Sequence, residues 1–203
     1  MITPARSGRR RYAAAVAVVA LLALGTSACS DSGAGAPVAG GDGQGFVEGD
    51  GTVTVIDPAD RQAAPPLSGT TLDGKPLDVA ALRGDVVVLN VWASWCGPCR
   101  GEAPALEAVY QDTRAKGVRF VGINTRDQTV AARAFERGFD ITYPSLVDDS
   151  GSLLLGFRDT LPPSAIPSTV VLDRKGDVAA RVLGPTTYTQ LKRLVTQVAA
   201  ESA

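Results

Sequence analysis

Two cysteines, Cys96 and Cys99, stand two residues apart in the stretch Trp-Cys-Gly-Pro-Cys at positions 95–99. The chain of 203 residues holds three cysteines and no histidine. Such a pair can supply half of a metal site, close a structural staple, or carry electrons. A structural zinc ion wants four ligands, usually Cys and His. Here it would need carboxylates or a second chain. A staple around so small a loop restricts the unfolded chain little, because stabilisation grows with loop length. Electron transfer accounts for the local residues together. The thiolate is the attacking species in disulfide exchange. A helix N-terminus stabilises that anion through unpaired N–H groups and the macrodipole, which lowers the thiol pKa. In this reading Cys96 attacks, a mixed disulfide forms, and Cys99, one turn into the helix and more buried, resolves it. The Gly97-Pro98 turn brings the two sulfurs within bonding range.

The lack of histidine also removes His-based triads, H-E-x-x-H zinc sites and imidazole general bases. A formal net charge of −1 provides no global field for nucleic acid or an acidic substrate. The expected cofactor is the cysteine pair alone, with no metal and no nucleic-acid partner.

The elements that must position the pair can be read around it. Val86 to Val91 is an almost continuous apolar run, which suits a central strand buried on both faces. A helix follows the cysteines, with Pro98 in its first turn and Gly117 as its stop signal; Pro104 should kink it. Val118 to Asn124 is the next strand, completing a βαβ unit. Asp127 is expected to cap a second helix over 129–138. A short strand lies near Tyr143 to Asp149, with a short helix near Gly151 to Phe157. Ser168–Leu172 and Val178–Leu183 flank Asp-Arg-Lys-Gly-Asp as an antiparallel hairpin. Leu191, Leu194, Val195 and Val198 form the apolar face of a last helix. Before the central strand, Thr52 to Ile56 is a short strand, and Asp73-Gly74 marks a hairpin. The expectation is an α/β chain with a mixed sheet and helices on both faces, folded over 52–203.

The beginning of the chain reads as an address. Arg6, Arg9, Arg10 and Arg11 precede an uncharged apolar run from Tyr12 to Leu24 and small residues up to Ala28. That is the pattern of a signal peptide, here 1–28, and the run is short for a membrane span, which needs ~20 residues. Cys29 follows small residues in Leu-Gly-Thr-Ser-Ala-Cys, which resembles a bacterial lipobox and makes Cys29 a lipidation site. Thr26 stands where lipoproteins usually carry Leu. An ordinary cleaved signal and an uncleaved anchor are the alternatives. All three place the rest of the chain outside the cytoplasm, and the lipoprotein reading anchors it to the outer face of the bacterial cell membrane. Residues 29–51, rich in Gly, Ala, Asp and Ser, read as a tether with a root-mean-square reach of ~25 Å.

The stretches Val88 to Leu106, "VLNVWASWCGPCRGEAPAL", and Ala165 to Val178, "AIPSTVVLDRKGDV", resemble the TlpA/ResA-like family of membrane-tethered, extracytoplasmic thiol–disulfide oxidoreductases, from about Pro65 to Val198. The resemblance implies the thioredoxin fold with an N-terminal β-hairpin extension. It matches Cys96 to the nucleophile and Cys99 to the resolving thiol. It matches Ile166-Pro167 to the cis-proline loop that faces the disulfide and pairs with substrate backbone. Trp95 matches the tryptophan that shields the disulfide. Glu102 matches an acidic residue that tunes the cysteines in apocytochrome-reducing members; a solvated helix-face Glu is the alternative. Cytoplasmic thioredoxin has a buried Asp six residues before the first cysteine, where this chain has Asn90. Asn90 cannot titrate, so Glu102 or water is left as the proton acceptor of Cys99.

Three functions stay open. One is a reductant of exported proteins such as apocytochrome c, in cytochrome c maturation, re-reduced by a membrane electron donor. The Gly-Pro dipeptide is that of thioredoxin, whose potential is about −270 mV. The second is an oxidant that forms disulfides in exported proteins, and the third a binding lipoprotein on an idle scaffold.

Overall fold

A computed structural model describes residues 51–162 and 164–201 of the chain. The expected signal segment 1–28, Cys29 and the expected tether as far as residue 50 lie outside the described residues. Among the described residues no helix is long and apolar enough to cross a membrane.

The described residues begin with strand β1 (Thr52–Val55), then a hairpin of β2 (Ser68–Thr70) and β3 (Pro76–Asp78). Gly74 takes φ 80° in that turn, a conformation open to glycine. A 3₁₀ turn at Val79–Leu82 leads to β4 (Val86–Trp92), all seven residues of which are buried. Helix α1 (Gly97–Thr113) and β5 (Val118–Thr125) complete the expected βαβ unit, with β5 parallel to β4. Then come α2 (Thr129–Gly138), β6 (Ser145–Asp148), α3 (Ser152–Leu155), β7 (Ser168–Leu172), β8 (Val178–Leu183) and α4 (Tyr188–Ala199).

Six strands form one mixed sheet in the order β1-β8-β7-β4-β5-β6. β6 is parallel to β5, whereas β7 is antiparallel to β4, β8 to β7 and β1 to β8. The small β2–β3 hairpin attaches through a bridge from Thr71 to Leu146 on β6. It thereby covers an edge that would otherwise offer unpaired backbone groups.

Successive side chains of a strand point to opposite faces, and β4 divides its run accordingly. Val86 and Val88 join the core that holds Leu106 and Val109 of α1 and Leu191, Leu194, Val195 and Val198 of α4. Val87, Leu89 and Val91 join the core that holds Ala132 and Phe135 of α2 and Leu154 of α3. An apolar run without alternation is what a strand covered by helices on both faces requires. Close packing reaches the backbone at Gly122 on β5, where a Cβ would collide with Ser145 Oγ and Trp92 Nε1.

Pro104 lies inside α1 as expected, on the exposed side of the helix. One local expectation changes. Asp127 does not cap α2. The N-cap is Gln128, which makes no side-chain capping bond, and the Asp127 carboxylate is taken by the loop ahead of the cysteines.

Candidate active site

β4 ends at Trp92, and α1 begins at Gly97 after four intervening residues. Ala93 to Cys96 form a turn closed by the Cys96 N–H on the Ala93 carbonyl at 3.2 Å. Cys96 is the N-cap of α1, with extended backbone angles, and its sulfur accepts the Cys99 N–H at 3.2 Å. Cys96 and Cys99 form a disulfide, their Cα atoms 5.3 Å apart. Both are buried, Cys96 4 % and Cys99 1 % exposed. Gly97 is exposed and Pro98 half-buried, so the start of α1 between the cysteines reaches the surface. Trp95 is half-buried on the same core as the disulfide, and its indole N–H donates to the Arg126 carbonyl at 3.2 Å.

The Ile166–Pro167 peptide bond is cis. Ser168, the next residue, pairs with Val91, which puts the cis bond at the end of β4 where the cysteine loop starts. Ile166 is buried in one cluster with both cysteines. The Pro167 carbonyl accepts the Gly184 N–H at 2.9 Å.

Glu102 lies one turn beyond Cys99, on the same side of α1. It is not a solvated helix-face residue, being 2 % exposed. One oxygen accepts from Asn90 Nδ2 at 2.9 Å and the other from the Thr186 N–H at 2.9 Å. Asn90 Nδ2 also donates to Thr169 Oγ1 at 3.3 Å, across to β7. Burial pushes the Glu102 carboxyl up to about 7, against the two donated hydrogen bonds, which pull it down. Asn90 thus links the strand to Glu102 where a titratable residue stands in cytoplasmic thioredoxin. Beside Cys99 and Asn90 lies a small cavity of about 10 Å³, also bordered by Ala103 and Tyr143, close to the lower size limit for one water. Burial pushes the Tyr143 phenol well up, and the Glu102 charge adds to that.

Sequence reasoning missed Ser94, Asn124, Arg126, Tyr143 and Thr186, and it gave Asp127 a capping role instead of its place on the loop ahead of the cysteines. For the β5–α2 loop a signal was present: parallel neighbours end on the same side of a sheet, so the residues after β5 must lie beside those after β4. Thr186 and Tyr143 carry no comparable local signal.

A family model described as Redoxin matches residues 58–198. The chain belongs to the Redoxin family. This Redoxin is 30% identical over 129 residues to the thiol-disulfide oxidoreductase ResA of Bacillus cereus, covering 64% of this chain and 72% of the relative. Among solved structures it resembles a secreted thiol-disulfide isomerase from Corynebacterium glutamicum, with a TM-score of 0.67 and 31% identity, covering 77% of this chain and 97% of the other. A DsbF homologue from Corynebacterium diphtheriae gives a TM-score of 0.65 at 30% identity, with 75% and 99% covered. The expected TlpA/ResA-like membership and thioredoxin fold hold. This Redoxin is a thiol–disulfide oxidoreductase, and the idle-scaffold reading is set aside.

Proposed function

We propose that this Redoxin reduces disulfides of exported proteins outside the cytoplasm, with the haem-site cysteines of apocytochrome c as the substrate class. The observation that carries this reading is the buried Glu102, one turn from Cys99 and with a carboxyl at about 7. It is a proton acceptor matched to neutral pH, placed where the resemblance to apocytochrome-reducing proteins expects one.

In this mechanism the reduced Cys96 thiolate attacks one sulfur of the substrate disulfide, and the other sulfur leaves as a thiolate that takes up a proton. Glu102 accepts the proton of Cys99. The Cys99 thiolate then attacks Cys96 Sγ, the substrate's second sulfur departs, and the enzyme is left with the Cys96–Cys99 disulfide. Two electrons from a membrane donor break the disulfide, and Glu102 returns its proton to Cys99, which restores the Cys96 thiolate and the Cys99 thiol. The cis Ile166-Pro167 loop pairs with substrate backbone, Trp95 covers the disulfide, and Gly97 and Pro98 set the spacing of the sulfurs. Lipid on Cys29 and the 29–51 tether hold the domain at the outer face of the cell membrane. Relatives described as secreted support an extracytoplasmic place.

Deleting the gene is expected to abolish c-type cytochrome, and an added small thiol to restore it. Cytochrome retained after deletion would remove this substrate class. A second reading, disulfide formation in exported proteins, draws on the similarity to the secreted isomerase.

A further inference from the structure

The loop that carries Cys96 is held from outside by one carboxylate. Asp127 Oδ2 accepts the Ser94 N–H at 2.6 Å and Asn124 Nδ2 at 2.9 Å. Its Oδ1 accepts the Ser94 hydroxyl at 2.8 Å and the Gln128 N–H at 2.8 Å. Ser94 lies in the turn that the Cys96 N–H closes on the Ala93 carbonyl. The Ser94 carbonyl in turn accepts from Arg100 on α1 at 3.1 Å. The N–H, hydroxyl and carbonyl of Ser94 are therefore all engaged, two of them by Asp127. Next to it, Trp95 is tied to the carbonyl of Arg126. Arg126 itself takes φ 47°, a left-handed conformation unfavourable for a side chain of that kind and sustained only where surroundings enforce it. The end of β5 and the start of α2 are thus shaped around the residues that precede the nucleophile.

We propose that Asp127 is a positioning residue for thiol–disulfide exchange. It locks the Ala93–Cys96 turn so that Cys96 Sγ stays at the N-terminus of α1, where the backbone N–H groups and helix dipole favour the thiolate. The inference rests on Cys96 being the attacking thiol. It does not act through charge, because an anion near a thiolate disfavours that thiolate. Positioning and charge therefore have opposite signs. Losing the positioning contact raises the Cys96 pKa, whereas losing only a nearby negative charge lowers it.

The test is alkylation of the reduced full chain with iodoacetamide across pH, the label located by mass spectrometry, with Tm followed alongside. Of the pair, Cys96 takes the label first in the parent protein, label on Cys29 being set apart by its own peptide; a first label on Cys99 would refute the attack assignment itself. Asp127→Ala is expected to raise the Cys96 pKa by roughly half a unit or more, so that about threefold less thiolate is present below it. Asp127→Asn keeps an oxygen for the Ser94 N–H and is expected to recover most of the alkylation rate. Ser94→Ala, which deletes only the hydroxyl bond, is expected to shift the pKa upward by less, and it carries the test if Asp127→Ala does not fold. A lowered Tm with unchanged Cys96 pKa would reduce Asp127 to a structural role. A lowered pKa in Asp127→Ala would make it a charge effect. Either result, with Cys96 still labelled first, overturns the inference and leaves the attack assignment standing.

Discussion

Replacing Cys99 with serine is expected to arrest the protein as a mixed disulfide through Cys96, and replacing Cys96 to leave no measurable exchange. The expectation follows from the different places of the two sulfurs. Cys96 caps α1, where unpaired N–H groups favour its thiolate. Cys99 lies inside the first turn, 1 % exposed, and reaches a sulfur by attacking Cys96. A serine hydroxyl at 99 is not ionised at neutral pH and cannot resolve the bond, so the substrate stays attached. Serine at 96 removes the group that starts the reaction. Non-reducing gels of exported proteins, with mass spectrometry of the shifted bands, read both outcomes. Bands that form with Cys99→Ser and vanish on adding a thiol support the assignment. Bands that form equally with Cys96→Ser would reverse the roles.

Glu102→Gln is expected to remove a titration near pH 7 from both stability and reaction rate. The folded protein raises this carboxyl from an ordinary 4.5 to about 7. A raised pKa favours the protonated form in the folded state, so the stabilisation is complete below 4.5 and is lost as pH rises through 7. The shift corresponds to on the order of 3 kcal/mol across that window. Gln is close in shape, and Asn90 can turn its amide to present an oxygen, leaving the Gln oxygen for the Thr186 N–H. Urea unfolding at pH 5 and pH 8 should therefore show parent stability falling relative to the variant by about this amount. The pH–rate profile of disulfide reduction should lose its inflection near 7. An unchanged profile would exclude Glu102 as the proton acceptor of Cys99.

The sheet was legible because its central strand must be covered on both faces. A Val-rich run broken only by Asn90 between turn signals has few other uses, and β4 is buried at every position. The cysteines followed from it, since a strand-to-helix junction with Pro98 in the first turn locates Cys96 at a cap. The burial of Glu102 could also have been read. Cys99, Glu102, Ala103 and Leu106 recur at helical spacing, and all four are buried. A charged residue in such a stripe is an acid inside the core. Asp127 misled for a different reason. Asp before a helix is a sound capping signal, but a carboxylate serves the donors that the tertiary structure brings to it. Ser94, from the neighbouring strand's loop, supplied two of them. The Thr186 N–H on Glu102 joins residues 84 apart in sequence, and a backbone donor carries no side-chain signature.

As proposed, the Cys96–Cys99 pair works as a reductant. The most direct test of this is the equilibrium reduction potential, measured by titrating the pair in dithiothreitol or glutathione buffers at pH 7 and counting free thiols. A value well below about −200 mV is expected, toward the ~−270 mV of thioredoxin, which shares the Gly-Pro dipeptide. A potential well above about −200 mV, toward the ~−120 mV of a dedicated oxidant, would contradict it.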